Sequence, residues 1–470
     1  MKRVTPAAHD RDDPPAPRRA PSPPGTRVLG HARAFQRDPL GFLLTTAQTC
    51  GPVARLKLGP LTYHLVSDPT LIAEVLQVRP SNYLRDTRSS RRVRMVTGES
   101  LLTSEGTAWR QQRQAVQPIF HHRNLMDLGR TMLTVVDQAC GDWERAAATG
   151  ATLDLVTEMS RLSFAVAGRC LLGAEVQARV GEVEAAFPVL LDELFRRTSG
   201  VANLPLWLPL PRHLAFRRSL AAIHRIVADI IADHRRAGAE SRPATVDLLG
   251  LLLQARTEQG APLSDEDLRN HVVTFLLAGH ETTASALTWA FALLATTPAE
   301  LQHVQTELDR VAFDARETGA IETLPQLEQI SAVLQETLRL YPSIWIAERR
   351  VVETDDLGGW RIPAGSAVVV APYVVHRQPG RWDQPEVFRP ARFRTGEPPL
   401  LLRDGYLPFG AGPHTCIGQH FALMEAKVIL ATLLSRFHVT LLEGALPAPV
   451  GGITLRPSAA VPIRVERRRS

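Results

Sequence analysis

Between Ser264 and Thr296 the chain carries the stretch that most limits the folds open to it. Ser264-Asp265-Glu266-Asp267 has the composition of a helix cap and an acidic first turn, and Leu268 to Thr296 is apolar on nearly every side. At 1.5 Å per residue such a helix is roughly 50 Å long, enough to cross a domain. His280 and Glu281 at its middle argue against a membrane span. The helix therefore predicts a domain built around it. Its centre reads Ala278-Gly279-His280-Glu281-Thr282-Thr283, and an acid beside two hydroxyls in apolar surroundings is costly unless it is paired or used. On local evidence the hydroxyls bond back to carbonyls one turn earlier and Glu281 reaches outward.

A second stretch, Phe409-Gly410-Ala411-Gly412-Pro413-His414-Thr415-Cys416-Ile417-Gly418, leads into an apolar helical pattern from about Gln419. Its glycines let the backbone turn tightly and approach a flat ligand. Cys416 sits just ahead of a helix N-terminus, where amides and the dipole favour an anion. That position predicts a lowered thiol pKa and a thiolate, the form that ligates metal. Two other readings stay open locally. Cys416 is a small buried hydrophobe, or His414, Cys416 and His420 are zinc ligands, although no second ligand pair follows.

FGAGPHTCIG resembles the haem-binding loop of the cytochrome P-450 monooxygenases: it has the family's Phe, both glycines before the Cys, a basic residue two before it and a Gly two after it. Three further motifs resembling that family occur in the expected order, so the resemblance covers roughly residues 25 to 465. Ala278 to Thr283 is similar to the family's acid-alcohol pair, in which small residues make room for dioxygen. The resemblance gives Thr282 a hydrogen bond to the oxygen and Glu281 a part in bringing protons from solvent. Glu336-Thr-Leu-Arg339, in isolation a common surface pair, matches the family's Glu-x-x-Arg element, buried and completed by a second arginine. Arg392 in Phe388-Arg-Pro-Ala-Arg392-Phe393 matches that arginine, although most relatives have Glu where this chain has Ala391. Trp109 and Arg113 lie one helical turn apart, locally a surface pair, and the resemblance makes them donors to a haem propionate together with Arg349 and His414. Because Arg350 is adjacent to Arg349, a one-residue slip swaps which of them points inward. Family members ligate haem by a Cys thiolate that pushes electron density toward O–O cleavage.

The remaining sequence bounds this expectation. Of 470 residues, 44% are hydrophobic and 22% charged, enough for a large core. A formal charge of +6 over this length suits steering of an acidic protein partner better than gripping nucleic acid. Cys50, Cys140, Cys170 and Cys416 have no paired spacing, which predicts a reducing compartment. No signal peptide or membrane anchor is visible, so a soluble, bacterial-type, cytoplasmic protein is expected. Residues 1 to 25, rich in Pro and Arg, predict a disordered arm, and 26 to 470 one domain.

Along the chain, alternation from Ala54 to Leu65 predicts a hairpin and Asp68-Pro69 a helix start. Arg85, Arg88, Arg91, Arg92 and Arg94 read as a solvated face, which in the resembled family forms part of the roof of the substrate pocket. Helical periodicity from 125 to 258 is broken by an apolar, proline-punctuated loop from Asn203 to Pro211, a lid, a membrane-touching patch or a packed loop, and by a connection at Ala239 to Arg242. Thr297-Pro298-Ala299-Glu300 predicts a capping box, and short strands are expected at 345–352 and 359–375.

The expected architecture is mostly α, a single large cytochrome P-450-like domain with a small β region, holding haem b between the long helix and the Cys loop. The expected reaction is monooxygenation of a lipophilic small molecule (terpenoid, fatty acid or polyketide) with O2 and two electrons. No flavin or iron–sulfur segment is present, so a separate ferredoxin and ferredoxin reductase are implied. The alternatives are a same-fold peroxide-using or isomerising enzyme, whose relatives usually lose the threonine kept here as Thr282, and a non-catalytic haem sensor.

Overall fold

The computed structural model of the chain describes residues 17–173, 180–199, 204–240, 247–258, 260–317, 319–394, 402–442 and 446–468. The apolar stretch forms one uninterrupted central helix, Asp265–Thr296. Its start follows from Ser264, whose hydroxyl accepts from the Asp267 amide at 3.1 Å and donates to the Asp267 carboxylate at 2.6 Å. Asp265, Glu266 and Asp267 lie against the positive end of the helix dipole. Its end comes at Thr297, where Pro298 opens the next helix. The expected capping box does not form there. Thr297 makes no side-chain cap, and the Glu300 carboxylate that would complete the box is taken by Arg394 from a distant loop.

The helices Leu155–Leu172, Pro211–Glu240, Glu328–Leu340 and Gln419–Arg436 pack around the central helix. Leu287, Ala290, Phe291 and Leu294 are sealed in one cluster with residues of those neighbours. Each large apolar side chain so buried stabilises by about 1.5–3 kcal/mol, and burial on every side explains why the central helix has no polar face. Among the described residues no helix is long and apolar enough to cross a membrane.

The largest sheet of the small β region is five-stranded: β1 (Val53–Leu58), β2 (Leu61–Val66), β3 (Tyr83–Leu84), β4 (Ala347–Val351) and β5 (Ala367–Val370), in the order β1-β2-β5-β4-β3, and three smaller sheets accompany it. The β1–β2 hairpin turns at Gly59, whose φ of 60° suits glycine. Asp68 then caps the next helix, accepting from the Thr70 and Leu71 amides at 2.8 and 3.2 Å. The strand expected to reach Val375 stops at Val370, since Pro372 cannot donate to the ladder and opens a helical turn, Pro372–Val375. On β4, Arg349 opposes Val368 and Arg350 opposes Ala367, so the two arginines point to opposite faces.

Two boundaries differ from expectation. Residues 1–16 of the expected arm lie outside the described residues, but Arg18–Arg19 pairs with Trp360–Arg361 as a short parallel strand. The Arg18 guanidinium stands 5.3 Å from the Trp360 ring centroid and Ala20 is buried, so the arm joins the fold by residue 18. Long-range pairing of this kind is invisible in composition. Ala239 and Glu240 continue the helix Pro211–Glu240, while Arg242 lies outside the described residues. Asn203 also lies outside them. In the rest of that loop Trp207 is 73% exposed, the Leu204 carbonyl accepts from Arg197 and the Leu208 carbonyl from His213.

Candidate functional site

The cysteine loop is shaped by contacts at both ends. The Cys416 amide donates to the Phe409 carbonyl at 3.0 Å, closing the loop on itself. Gly410 and Gly412 both have φ of 74°. At Gly412 a Cβ would lie 1.9 Å from the carbonyl oxygen of Leu76, so no other residue fits there. Leu76 belongs to a π-helical turn, Glu74–Val78, against which the loop is pressed. Around Gly410 and Gly418, by contrast, no atom lies within 4 Å of where a Cβ would stand.

Cys416 itself is exposed. Burial of its surroundings pushes the thiol up from its ordinary value, against the lowering pull of the Gly418 amide and of Arg113. The lowering expected from the helix terminus is corrected to this extent: desolvation raises the thiol despite the Gly418 amide. Among the described residues no three His, Cys, Asp or Glu side chains gather to hold a metal ion. The zinc alternative at His414, Cys416 and His420 is left without a geometry.

Beside the loop lies a cluster of cations. Arg113, on the helix Gly106–Val116, donates to the Thr415 carbonyl at 3.1 Å. Trp109 on the same helix meets His414 edge-on, their ring centroids 4.2 Å apart. Arg85 stands 5.9 Å from the Trp109 ring centroid and is held by Glu105, the Leu101 carbonyl and the Ser104 carbonyl. Arg349 reaches the same place from β4, held down to about 10 by burial and by Arg85. Arg350 turns the other way, toward Asp86 at 3.8 Å.

Glu105 is the carboxylate this cluster shares, at 3.3 Å from Arg85 and 3.6 Å from His414. It faces the guanidinium groups of Arg85 and Arg349. Burial, then Arg85, Arg349 and Arg113, hold His414 down to about 3, so its ring is neutral, and its buried Nδ1 has no partner. Arg113 and Arg349 each donate a single hydrogen bond out of the five N–H groups a guanidinium carries. The cluster has positive charge and donors left over, the signature of a missing dianion.

On the central helix, Ala278 is exposed and Gly279 and Thr282 are half-buried, although Leu276, Leu277, His280 and Thr283 beside them are buried. No atom lies within 4 Å of where a Cβ of Gly279 would stand. The helix is therefore bare along one short strip at its middle. The Thr282 hydroxyl donates to the Ala278 carbonyl at 2.6 Å, and the Thr282 carbonyl accepts from Ser343 at 2.7 Å. Glu281 turns away from this strip and accepts from the Thr454 hydroxyl at 2.9 Å. His280 packs outward against Ser160, 3.0 Å from its hydroxyl, and is lowered by burial.

Glu336, Arg339 and Arg392 form a separate, closed network. Glu336 and Arg339 are wholly buried and bonded through two contacts of 2.7 and 2.9 Å. Arg339 also donates to the carbonyls of His376, Pro385 and Val387. Arg392 and the Arg389 amide donate to Glu336 at 3.0 and 2.9 Å, so the substitution at Ala391 leaves this junction intact. His376 links the network to the cysteine loop. Its Nε2 accepts from the Leu407 amide at 2.9 Å, which puts its proton on Nδ1, facing the Arg339 carbonyl at 3.1 Å. Burial holds His376 at about 3, hence neutral.

The family model described as Cytochrome P450 matches residues 21–459. The chain belongs to the cytochrome P450 family. Among curated proteins it is 34% identical to cyclooctat-9-en-7-ol 5-monooxygenase of Streptomyces melanosporofaciens, over 92% of this chain and 90% of that protein. It is 30% identical to pentalenene oxygenase of Streptomyces avermitilis, over 95% and 97% of the two chains. Its structure resembles that of a cytochrome P450DA haem domain, with a TM-score of 0.86, 26% identity and coverage of 97% and 99%. As a cytochrome P450 it is a monooxygenase of the haem-thiolate class.

In this cytochrome P450 the expected Trp109, Arg113, Arg349, His414 and Cys416 converge, whereas Glu281 and Thr282 diverge from one another. Sequence reading missed three contributors. Arg85 and Glu105 belong with the cations, but Arg85 was masked by the arginine run that follows it. His376 carries no local signal, since only the fold brings it between Arg339 and Leu407.

Proposed function

We propose that this cytochrome P450 hydroxylates a lipophilic small molecule, with a terpenoid as the first class to screen, using O2 and two electrons delivered by a separate ferredoxin and ferredoxin reductase. The observation that carries the reading is the unneutralised cluster of Arg85, Arg113, Arg349 and His414 beside Cys416. Haem b, an iron porphyrin with two carboxylates, matches that excess in charge and in number. Arg113, Arg349, His414 and the Trp109 N–H would hold the propionates, Cys416 would be the thiolate ligand, and Phe409, Gly410, Gly418 and Ala278 would border the flat ring. When bound, haem supplies the activation of O2. The protein's own groups handle the protons. Thr282, its hydroxyl proton committed to the Ala278 carbonyl, offers lone pairs to the bare strip and would orient a proton-bearing group there. Glu281 would exchange protons with solvent by letting go of Thr454. The terpenoid choice rests on the two Streptomyces relatives, the cyclooctat-9-en-7-ol 5-monooxygenase and the pentalenene oxygenase.

The test is the absorption spectrum of the reduced protein under carbon monoxide, beside that of Cys416→His. A strongly red-shifted Soret band in the parent, lost in the variant, is expected. Well-folded protein without haem would overturn the reading. Thr282→Ala then separates the oxygen-using enzyme from a peroxide-using one: product formation should fall while peroxide accumulates.

A further inference from the structure

Glu281, Ser285 and Trp289 follow one another at four-residue steps, so they share one face of the central helix. A tight hairpin near the end of the chain, joining the strands Pro449–Gly451 and Leu455–Pro457, is docked along that face. The Leu455 carbonyl accepts from the Ser285 hydroxyl at 2.6 Å and from the Trp289 indole N–H at 2.9 Å. The Leu455 amide donates to the Ser343 carbonyl at 3.0 Å, and the Ser343 hydroxyl goes on to the Thr282 carbonyl. Trp345 clamps the other side. Its indole N–H donates to the Gly452 carbonyl at 3.0 Å, and a Cβ on Gly451 would stand 2.6 Å from its ring. Inside the turn the Gly452 amide donates to the Thr454 carbonyl at 2.9 Å.

Each of these bonds uses a backbone group, so the turn is fixed without help from its own side chains. The Thr454 hydroxyl is therefore surplus to the fold. It is buried, and it donates to Oε1 of Glu281 at 2.9 Å. Glu281 is only half-buried, and among the described residues its Oε2 makes no hydrogen bond. A long, flexible carboxylate costs entropy to hold in one place, and a donor on a rigid support fixes one oxygen while leaving the other to water.

We infer that Thr454 is a positioning residue for Glu281. Its hydroxyl is the fixed point to which the carboxylate returns after each exchange with solvent, which keeps the acid beside Thr282 and the bare strip. The inference rests on the proton role given to Glu281 above and adds the residue that sets where that role is exercised.

The test is oxidation of the one-electron dye ABTS by hydrogen peroxide with the haem-loaded protein, timed in H2O and in D2O. It needs neither the natural substrate nor a redox partner: each peroxide takes two electrons from two dye molecules and two protons, and leaves as two waters. Thr454→Val keeps the shape and removes the hydroxyl. It is expected to slow the reaction about fivefold and to enlarge the solvent isotope effect, and Thr454→Ser should restore both. In a Glu281→Ala background, itself slowed, Thr454→Val should change nothing further. Thermal unfolding of the same proteins reads the contact without turnover: the fall in midpoint caused by Thr454→Val should disappear or reverse once Glu281 is gone. An unchanged rate in Thr454→Val, a further fivefold slowing in the double variant, no rescue by Thr454→Ser, or an equal fall in midpoint with and without Glu281 overturns the inference while the role of Glu281 stands. Glu281→Ala at the parent rate removes that role and the inference with it.

Discussion

Two groups of arginines, one around Trp109 and one around Glu336, are treated oppositely by the chain. Around Glu336 the donors of both arginines meet acceptors inside the protein. Arg339 spends its donors on a carboxylate and three carbonyls, and Arg392 closes the remaining side. Around Trp109 the arithmetic is left open, with Arg85 and Arg349 facing one carboxylate and Arg113 spending one hydrogen bond on the Thr415 carbonyl. The difference teaches how to tell a structural ion cluster from a binding one when composition is the same. A cluster that is balanced within the chain holds the chain, and one that is unbalanced waits for a ligand.

The largest effect should come from breaking the closed cluster. Glu336→Gln strands two arginines in a dry interior, and a loss of about 3–5 kcal/mol is expected, seen as a fall in soluble yield and in the thermal midpoint. Unchanged stability would mean that the network is not the clamp described.

Removing a cation from the open cluster should act differently. Arg349→Leu is expected to leave the ligand-free protein as stable or slightly more stable, since a poorly compensated charge disappears, while haem transfer to an acceptor protein speeds up about tenfold. A matching loss of stability without haem would erase the contrast between the two clusters.

Acid should attack the closed side. His376 is held at about 3 against an ordinary value of 6.5, so the unfolded chain takes up its proton first. Stability is then full above pH 6.5 and declines as pH falls toward 3, by about 1.4 kcal/mol per pH unit for each such histidine. His64 and His271, both held at about 4 by burial, add in the same direction. Urea unfolding from pH 7 to pH 5 should show this slope, and His376→Gln should make it shallower by one histidine's share.

The smallest effect is reserved for the neighbour of Arg349. Arg350→Gln removes a half-exposed contact with Asp86 and should change stability by less than about 0.5 kcal/mol, with haem retention unaffected. Faster haem loss in this variant would mean that the register of β4 points the wrong arginine inward.

Legibility followed the range of the interactions. The central helix was readable to its ends because Ser264, its acidic turn and Pro298 are local signals. Glu336, Arg339 and Arg392 were readable as a motif, and the structure brings them together. What failed needed partners far away in sequence. The Thr297 cap lost Glu300 to Arg394, Arg18 and Arg19 found a strand at Trp360, and the choice between Arg349 and Arg350 was made by the pairing of β4 with β5. Cys416 erred for another reason: a helix terminus can be seen in sequence, but the desolvation that outweighs it cannot.

The contact of Gly412 with Leu76 also has a meaning in time. The two residues are separated by most of the chain, yet they meet so closely that only glycine fits between the loop and that carbonyl. During synthesis the early turn is made long before the cysteine emerges, so it serves as a mould for the last segment to arrive. Contacts between segments this far apart in sequence are the slow ones to form in folding. A chain released with the early turn misplaced would hold every residue of the pocket and still be unable to assemble it.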